Sequence, residues 1–320
     1  MSTYLVTGHA GFIGSSLAAS LIRSNHRVLG VDSITDYYNQ EFKRTNLVNL
    51  DNLNGDYQHA QIDINDIRSL EMQFGDTKID GIFHLAGQPG VRNSWGNEFS
   101  SYSVNNIVAT QRIFDLAGDS IPVVFASSSS VYGNANSYPV MESDDLKPIS
   151  PYGLTKKTCE ELSRIYQSEF NLISTALRYF TVYGPGQRPD MAFTKICHSL
   201  MTGEDFMIHG SGEQIRDFTF VDDAVSGSIA AMNGSRSMVY NVGGGQEISL
   251  NAVIKIFEEV SGKKLSVKYK GQQAGDVIKT GADTSLLTEH TSWVSKISIT
   301  EGIEKQWNWA KSNPSFFVKH

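Results

Sequence analysis

Tyr152 and Lys156 are the first residues in this sequence whose types and spacing could do chemistry. They stand four apart in SPYGLTK (150–156), at the predicted start of a helix, and residues i and i+4 share one helix face. The lysine ammonium can therefore stabilise the phenolate form of the tyrosine, which could then take a proton from a hydroxyl group. The same spacing also arises by chance, in which case the pair is an exposed tyrosine and a solvated lysine.

A run of four serines, Ser127 to Ser130, lies between the apolar stretch VVFA and the sequence Val-Tyr-Gly. Serine runs are usually flexible linkers. This one ends a predicted buried strand, and open α/β sheets bind their ligands at the carboxyl ends of the strands. We therefore predict that the serines belong to an active site and supply a hydroxyl donor beside Tyr152.

The stretch TGHAGFIG places Gly8, Gly11 and Gly14 between a predicted strand and a predicted helix. Glycines at this junction allow a tight turn, a close approach of the backbone to a pyrophosphate, and close packing of the helix on the sheet. Asp32 ends the second predicted strand, where an acid suits the ribose hydroxyls of NAD and disfavours the 2′-phosphate of NADP. The alternative is a glycine turn without a ligand. Together with Tyr152, Lys156 and the serines, this loop predicts an NAD-dependent hydride-transfer site.

The elements that must position these residues alternate between strands and helices through the first half of the chain. Strands are predicted at 4–8, 26–32, 57–63, 79–87, 122–129 and 172–180, with helices between them, including 98–117 and 152–170. This alternation predicts an α/β fold, a Rossmann-type doubly wound parallel sheet. We expect an NAD-binding domain over 1–180 and a smaller, mainly substrate-binding domain over 181–320, with parts near 217–246 returning to the first.

Composition narrows the possible functions. The chain has 320 residues and a net charge of −7, which argues against nucleic-acid binding because that needs a basic surface. No apolar stretch approaches the length of a membrane span. The two cysteines, Cys159 and Cys197, lack a metal-type spacing, so no metal site is expected. With a strand pattern beginning within four residues of Met1 and no signal peptide in view, we predict a cytoplasmic protein.

Over nearly its full length the chain resembles the extended short-chain dehydrogenase/reductases that act on nucleotide sugars. The residues that carry the resemblance are GHAGFIG (8–14), Asp32, Asp63 with Ile64, HLAG (84–87), Asn105, FASSSSVYG (125–133), SPYGLTK (150–156), RYFTVYGP (178–185), GEQIRDFTFVDD (212–223) and GAD (281–283). The resemblance implies Tyr152 as the base, with Lys156 and Ser128 beside it. It also implies a family dimer packed through the helices near 98–117 and 152–170.

The resemblance also implies the ligand contacts. The NAD-binding residues would be Gly8, Gly11, Phe12, Ile13, Gly14, Asp32, Asp63, Ile64, Leu85, Ala86, Gly87, Asn105, Tyr152 and Lys156. A UDP-sugar would be bound by Ser128, Ser129, Ser130, Thr181, Arg188, Arg216, Asp276 and Arg92. Within the family Arg216 binds the phosphate of the nucleotide sugar. Gln273 stands where many members have a second phosphate-binding arginine.

Four positions favour one reaction within the family. Dehydratases carry Asp-Glu before the Val-Tyr, and decarboxylases carry a glutamate there, whereas this chain has Ser129 and Ser130. Thr181 replaces the usual asparagine, and Arg188 follows seven residues later, as in UDP-glucuronate 4-epimerases. A guanidinium and several hydroxyl donors suit a uronate carboxylate. The resemblance thus implies reversible 4-epimerisation of UDP-glucuronate to UDP-galacturonate through a 4-keto intermediate, with transient hydride transfer to tightly bound NAD.

Other functions remain open from the sequence. A 4-epimerase of neutral UDP-hexoses or UDP-N-acetylhexosamines needs no contact for a carboxylate, and would normally keep asparagine at position 181. A UDP-glucuronate decarboxylase conflicts with the serines at 129 and 130. A silent NAD-binding sensor conflicts with the complete set of Ser128, Tyr152 and Lys156, because such sensors commonly lose the base.

Overall fold

A seven-stranded parallel sheet forms the centre of the protein. The computed structural model describes residues 1–234, 237–271 and 275–317. The strands of this sheet are β1 (Thr3–Thr7), β2 (Arg27–Asp32), β3 (Tyr57–Gln61), β4 (Gly81–His84), β5 (Val123–Ser128), β6 (Ser174–Tyr179) and β10 (Val239–Val242). Their order across the sheet is β10-β6-β5-β4-β1-β2-β3. The chain order therefore reverses between β1 and β4, which is where this type of sheet opens a ligand crevice.

Helices cover both faces of this sheet. They are α1 (Phe12–Arg23), α2 (Gln40–Asp51), α3 (Ile67–Phe74), α4 (Phe99–Tyr102), α5 (Ala109–Ala117) and α6 (Pro151–Phe170). The central strands read as continuous apolar runs because both of their faces are covered; Leu5, Val6, Ile82 and Phe83, for example, are fully buried. The prediction of a Rossmann-type doubly wound sheet is confirmed.

The helix predicted over 98–117 differs from the prediction. It consists of α4, a π-helical segment over Ser103–Val108, and α5. A π-helical turn accommodates an extra residue and re-aims the side chains around it. Here the side chain of Asn106 within that segment donates to Thr155 on α6, at 3.0 Å. A sequence pattern with helical periodicity cannot reveal this, because the partner lies in another element.

The second half of the chain adds smaller elements and also completes the central sheet. Its strands are β7 (Thr181–Tyr183), β8 (Phe206–His209), β9 (Ile215–Phe220), β11 (Glu247–Ser249) and β12 (Val267–Lys270), which pair as β11-β9-β7 and β12-β8. Its helices are α7 (Ala192–Thr202), α8 (Val221–Asn233), α9 (Leu250–Ser261), α10 (Ser285–Thr291) and α11 (Ile299–Ser312). Strand β10 pairs with β6 in parallel. The division into domains over 1–180 and 181–320 stays a prediction.

Candidate active site

A cavity of about 390 Å³ opens at the carboxyl ends of the central strands. All of the residues that the sequence predicted for NAD line it, from Gly8 to Lys156. Among the residues predicted for the substrate, those that line it are Ser128, Ser129, Ser130, Thr181 and Arg188. The structure thus brings together residues that are as much as 180 positions apart in the sequence.

The glycine loop lies where β1 ends and α1 begins. Gly8 has φ of 73°, and a Cβ on it would lie 2.7 Å from the backbone nitrogen of Ala86. A Cβ on Gly14 would lie 2.1 Å from the carbonyl oxygen of Gly8. Neither position accommodates a side chain, and the first turn of α1, where a helix has N–H groups without intrahelical partners, lines the cavity with Phe12, Ile13 and Gly14. This is an arrangement that binds a pyrophosphate, and it fits the predicted NAD.

At the end of β2, Asp32 lines the cavity as predicted. Its Oδ1 accepts hydrogen bonds from the backbone N–H of Ile34 at 2.8 Å and from Nζ of Lys43 at 3.1 Å. In the described residues no hydrogen bond is made to Oδ2, which can accept from a ribose hydroxyl. Asp63 also lines the cavity, and its Oδ1 accepts from the backbone N–H of Asn65 at 2.9 Å, which shapes that turn.

Helix α6 holds the proposed base at its first turn. Ser150 caps the helix, accepting from the N–H of Gly153 at 3.1 Å, and Pro151 occupies the first helical position, where its missing N–H costs nothing. Lys156, buried, donates from Nζ to the carbonyl oxygen of Ala126 at 2.9 Å. The ring of Tyr152 meets that of Tyr102 edge-on, with centroids 6.2 Å apart. The tyrosine and the lysine therefore share the cavity wall with the end of β5.

The four serines do not share one environment. Ser127 is buried and donates to Glu160 on α6 at 2.5 Å. Oγ of Ser128 accepts from the backbone N–H of Ser130 at 3.1 Å and donates to its Oγ at 3.2 Å. This local bond starts a short 3-10 turn over Ser129–Val131, which places the hydroxyls of Ser128, Ser129 and Ser130 along the cavity wall.

Glu160 on α6 forms a buried ion pair with Arg178 on β6 and also bonds the end of β5. Its carboxylate accepts from Nε and Nη2 of Arg178 at 3.0 and 2.7 Å, in addition to Ser127. Arg178 also donates from Nη1 to the hydroxyl of Tyr132 at 2.8 Å. Both charged side chains are less than 5% exposed. Bidentate, charge-assisted bonds of this kind fix geometry, so they hold α6 to β6, and the bond from Ser127 ties the end of β5 to the same carboxylate.

Arg188 lines the same cavity and forms an ion pair with Asp190. Its Nε and Nη2 each donate at 2.9 Å to one oxygen of Asp190, so the pair is bidentate. The Arg188 side chain is 17% exposed, and burial lowers the pKa of the guanidinium while the bonds to Asp190 raise it, with a net increase. Among the described residues Nη1 makes no hydrogen bond, so it can donate to a ligand. Thr181, at the start of β7, lines the same cavity.

The remaining predicted substrate contacts lie outside the cavity lining. Arg92 donates from Nη2 to Oδ2 of Asp276 at 2.9 Å, so two residues predicted to contact the ligand contact each other. Arg216 donates to the carbonyl oxygens of Ile215 and Val277 at 2.8 and 2.7 Å. A role for these three in ligand binding stays a prediction. Gln273 lies outside the described residues.

Known proteins share both this sequence pattern and this structure. Residues 4–243 match the model of the NAD dependent epimerase/dehydratase family. The chain belongs to this family. It is 38% identical to a UDP-glucuronate 4-epimerase of Thermodesulfobacterium geofontis, over 98% of this chain and 97% of that protein.

Two solved structures of relatives align with this family member over almost their full length. One is the UDP-glucuronic acid 4-epimerase of Bacillus cereus in complex with UDP-glucuronic acid and NAD, with 36% identity, a TM-score of 0.90, and coverage of 97% of this chain and 99% of that one. The other is the UDP-glucose 4-epimerase of Thermotoga maritima with UDP-glucose, with 29% identity, a TM-score of 0.89, and coverage of 98% and 99%. The predictions of an NAD-dependent enzyme, and of an isomerase, are confirmed.

Several residues of this epimerase-family site were missed by the sequence reasoning. Lys43 is one, and Asn106 is another: its Oδ1 accepts from the N–H of Gln88 at 2.7 Å, which fixes the loop after β4 beside Lys156. His84 is a third, held between the hydroxyls of Thr7 and Thr110 at 2.8 and 3.1 Å. Burial, with a smaller effect of the Lys156 charge, lowers the pKa of His84 to about 3. His84 is therefore neutral, and it links β4 to β1 and to α5.

No cluster of His, Cys, Asp and Glu within the described ranges could hold a metal ion. None of their helices is both long and apolar enough to cross a membrane.

Proposed function

We propose that this NAD-dependent epimerase interconverts UDP-glucuronate and UDP-galacturonate. The observation that carries the proposal is that Arg188, Thr181 and the three serines Ser128 to Ser130 line one cavity together with the residues predicted for NAD. A guanidinium donor and several hydroxyls are what a carboxylate on the sugar needs. The similarity to UDP-glucuronate 4-epimerases supports the same substrate.

The residues of this chain would each do part of the reaction. When bound, NAD supplies a hydride acceptor and donor for carbon 4 of the sugar. Tyr152, as phenolate, takes the proton of the 4-hydroxyl while Ser128 bonds the same oxygen. Lys156 stabilises that phenolate. The 4-keto sugar turns about its bond to the diphosphate and presents its other face, and Tyr152 then returns the proton.

The 4-keto intermediate of a uronate is a β-keto acid, which readily loses carbon dioxide. That loss moves negative charge off the carboxylate, so donors that stabilise the carboxylate oppose it. Nη1 of Arg188 and the hydroxyls of Ser129, Ser130 and Thr181 would be those donors. No carboxyl side chain stands at 129 or 130 to catalyse a second step. The enzyme is therefore proposed to invert carbon 4 and retain the carboxylate.

The direct test is to incubate the purified protein with UDP-glucuronate, UDP-glucose and UDP-N-acetylglucosamine, and to identify the products by NMR. We expect UDP-galacturonate from UDP-glucuronate with the highest kcat/KM of the three. Turnover of a neutral sugar alone would refute the proposal, and turnover of none would favour a silent NAD-binding sensor. A UDP-pentose as the main product would favour a decarboxylase.

Arg188→Met tests the proposed carboxylate contact. We expect the fraction of UDP-pentose among the products of UDP-glucuronate to rise, and KM for UDP-glucuronate to increase by on the order of tenfold, since a charge-assisted bond is worth about 1.5–3 kcal/mol. The readout is the ratio of the two products, which does not depend on how much protein is folded. Arg164→Met, at an arginine whose side chain is 63% exposed, is the matched control. An unchanged ratio and KM would contradict the assignment.

A second candidate substrate is a neutral UDP-hexose. The observation in its favour is that Asp190 already balances the charge of Arg188. Such a pair leaves no net positive charge to select an anionic sugar. The similarity to a UDP-glucose 4-epimerase of Thermotoga maritima is compatible with it.

We also propose a homodimer, in the cytoplasm where UDP-sugars and NAD would be available. The support is a set of exposed apolar side chains on the helices implied in the family dimer: Phe99, Val104, Val108, Leu154 and Ile165. They lie on α4, the π-helical segment and α6, which pack against one another, and a dimer interface would cover exposed apolar side chains of this kind. Light scattering coupled to size-exclusion chromatography should give twice the chain mass of 35.3 kDa. A monomer mass at micromolar concentration would refute the dimer.

A further inference from the structure

Lys43 places a buried ammonium at the end of the cavity where Asp32 lies. The lysine is on the first turn of α2 and is only 7% exposed. Its Nζ lies 3.1 Å from Oδ1 of Asp32 and 3.4 Å from the hydroxyl of Thr35. All three residues line the cavity. Burying a lysine costs hydration and side-chain freedom. The position of Lys43 beside Asp32 therefore indicates that it has a function there.

The geometry around Asp32 divides its two oxygens between protein and ligand. Oδ1 accepts hydrogen bonds from Nζ of Lys43 and from the backbone N–H of Ile34. Ile34 is β-branched and lies in the left-handed region, with φ of 52°. That backbone conformation is costly for such a residue, and Gln40 also holds it by donating to the carbonyl oxygen of Ile34 at 2.9 Å. The turn is thus built to keep Lys43 and Oδ1 together, with Oδ2 free for a ribose hydroxyl within the described residues.

We propose that Lys43 sets the cofactor preference of this enzyme by offsetting the negative charge of Asp32, so that NADP is disfavoured less than Asp32 alone would dictate. Asp32 discriminates against a 2′-phosphate in two ways, by charge repulsion and by losing the bond to the 2′-hydroxyl. Lys43 removes most of the repulsion because its charge lies 3.1 Å from that of Asp32. The second effect remains, so NAD stays preferred, by a smaller margin.

A merely structural role for Lys43 makes the opposite prediction. If the lysine only held Asp32 in place, its removal would loosen the acid. The bond from the ribose hydroxyl to Oδ2 would then weaken, and NAD would lose more affinity than NADP. If the lysine offsets charge, its removal exposes a 2′-phosphate to an unbalanced carboxylate, and NADP loses more affinity. The two roles therefore change the NADP-to-NAD binding ratio in opposite directions.

The test is competitive exchange of dinucleotide into the full-length protein, which needs no substrate and no turnover. Wild type, Lys43→Met and Lys43→Gln are incubated with equimolar NAD and NADP. One sample of each protein starts loaded with NAD and another starts loaded with NADP, and incubation continues until both give the same bound ratio. The bound dinucleotide is then released by denaturation and quantified by chromatography. We expect the bound NADP-to-NAD ratio to fall by on the order of tenfold in both variants, the effect of one cation near a dianion at high effective dielectric.

Two control variants separate charge from disruption. Lys43→Arg keeps the cation and should keep the ratio within about threefold of wild type, a difference of under 1 kcal/mol. Lys78→Met removes a lysine whose side chain is 90% exposed, with the same change in net charge, and should leave the ratio unchanged. Lys43→Gln keeps a donor for Asp32, so the comparison survives if Lys43→Met folds poorly. A ratio that rises or stays constant in Lys43→Gln would overturn the proposal.

Discussion

Tyr152→Phe should lower kcat for epimerisation by about 10³-fold, because general acid–base catalysis contributes roughly 10²–10⁴-fold. The change removes one oxygen at the cavity wall and keeps the ring that packs edge-on against Tyr102. The cavity shape and the NAD-binding loop should therefore be preserved. The measurement is kcat from NMR time courses, together with the dissociation constant of the UDP-sugar from calorimetry, which should change by less than about threefold.

A second tyrosine on the same helix provides the matched control for that variant. The hydroxyl of Tyr166 donates to Asp115 at 2.8 Å and lies away from the cavity. Tyr166→Phe should keep kcat within about twofold of wild type, since it changes neither the base nor its contacts. A Tyr152→Phe enzyme that kept more than about a tenth of wild-type kcat would show that another group takes the proton.

Arg178→Met should destabilise the protein by about 3–5 kcal/mol, because it leaves the Glu160 carboxylate buried without a cation. The loss would be measured as the free energy of unfolding from urea titrations monitored by circular dichroism. The double variant with Glu160→Leu should recover a large part of it, since replacing both partners removes the unpaired charge. Ser127, at the end of β5 in the cavity wall, also bonds Glu160. The single variant should therefore lose activity at urea concentrations below those that unfold it.

An exposed ion pair provides the comparison for Arg178→Met. Lys305 and Glu301 lie one turn apart on α11, 2.9 Å from each other, and both side chains are more than 40% exposed. Lys305→Met should cost less than about 0.5 kcal/mol. If Arg178→Met cost no more than Lys305→Met, the buried pair would not be what holds α6 to β6.

The parts of the fold that could be predicted are those with a local signal. The strand patterns placed β1 to β6 within a few residues, and the glycines of the first loop placed the N-terminus of α1. The spacing of Tyr152 and Lys156 identified one helix face, and the structure finds both side chains in the cavity. These features depend on backbone periodicity or on a single turn, which a short window of sequence contains.

The parts that could not be predicted depend on partners distant in the chain. Asn106 reaches Thr155, 49 residues away, and the π-helical turn that directs it has no local signature. The pairing of Arg92 with Asp276 spans 184 residues, so the sequence could not show that two predicted ligand contacts meet each other. Lys43 has no local signal either, because its burial depends on contacts with Asp32 and Thr35, which precede α2 in the chain.

Strand β10 is synthesised long after β6, the strand with which it pairs, and this affects the protein during synthesis. All six residues of β6 are buried in the folded protein, and β10 covers its outer edge. That edge is completed only when Val242 has left the ribosome, more than 60 residues after Tyr179. At about 5–20 residues per second, the nascent sheet therefore carries an unpaired apolar edge for roughly 3–12 s. During synthesis this unpaired strand edge is a site at which the chain can aggregate, and a chaperone that covered it would prevent that.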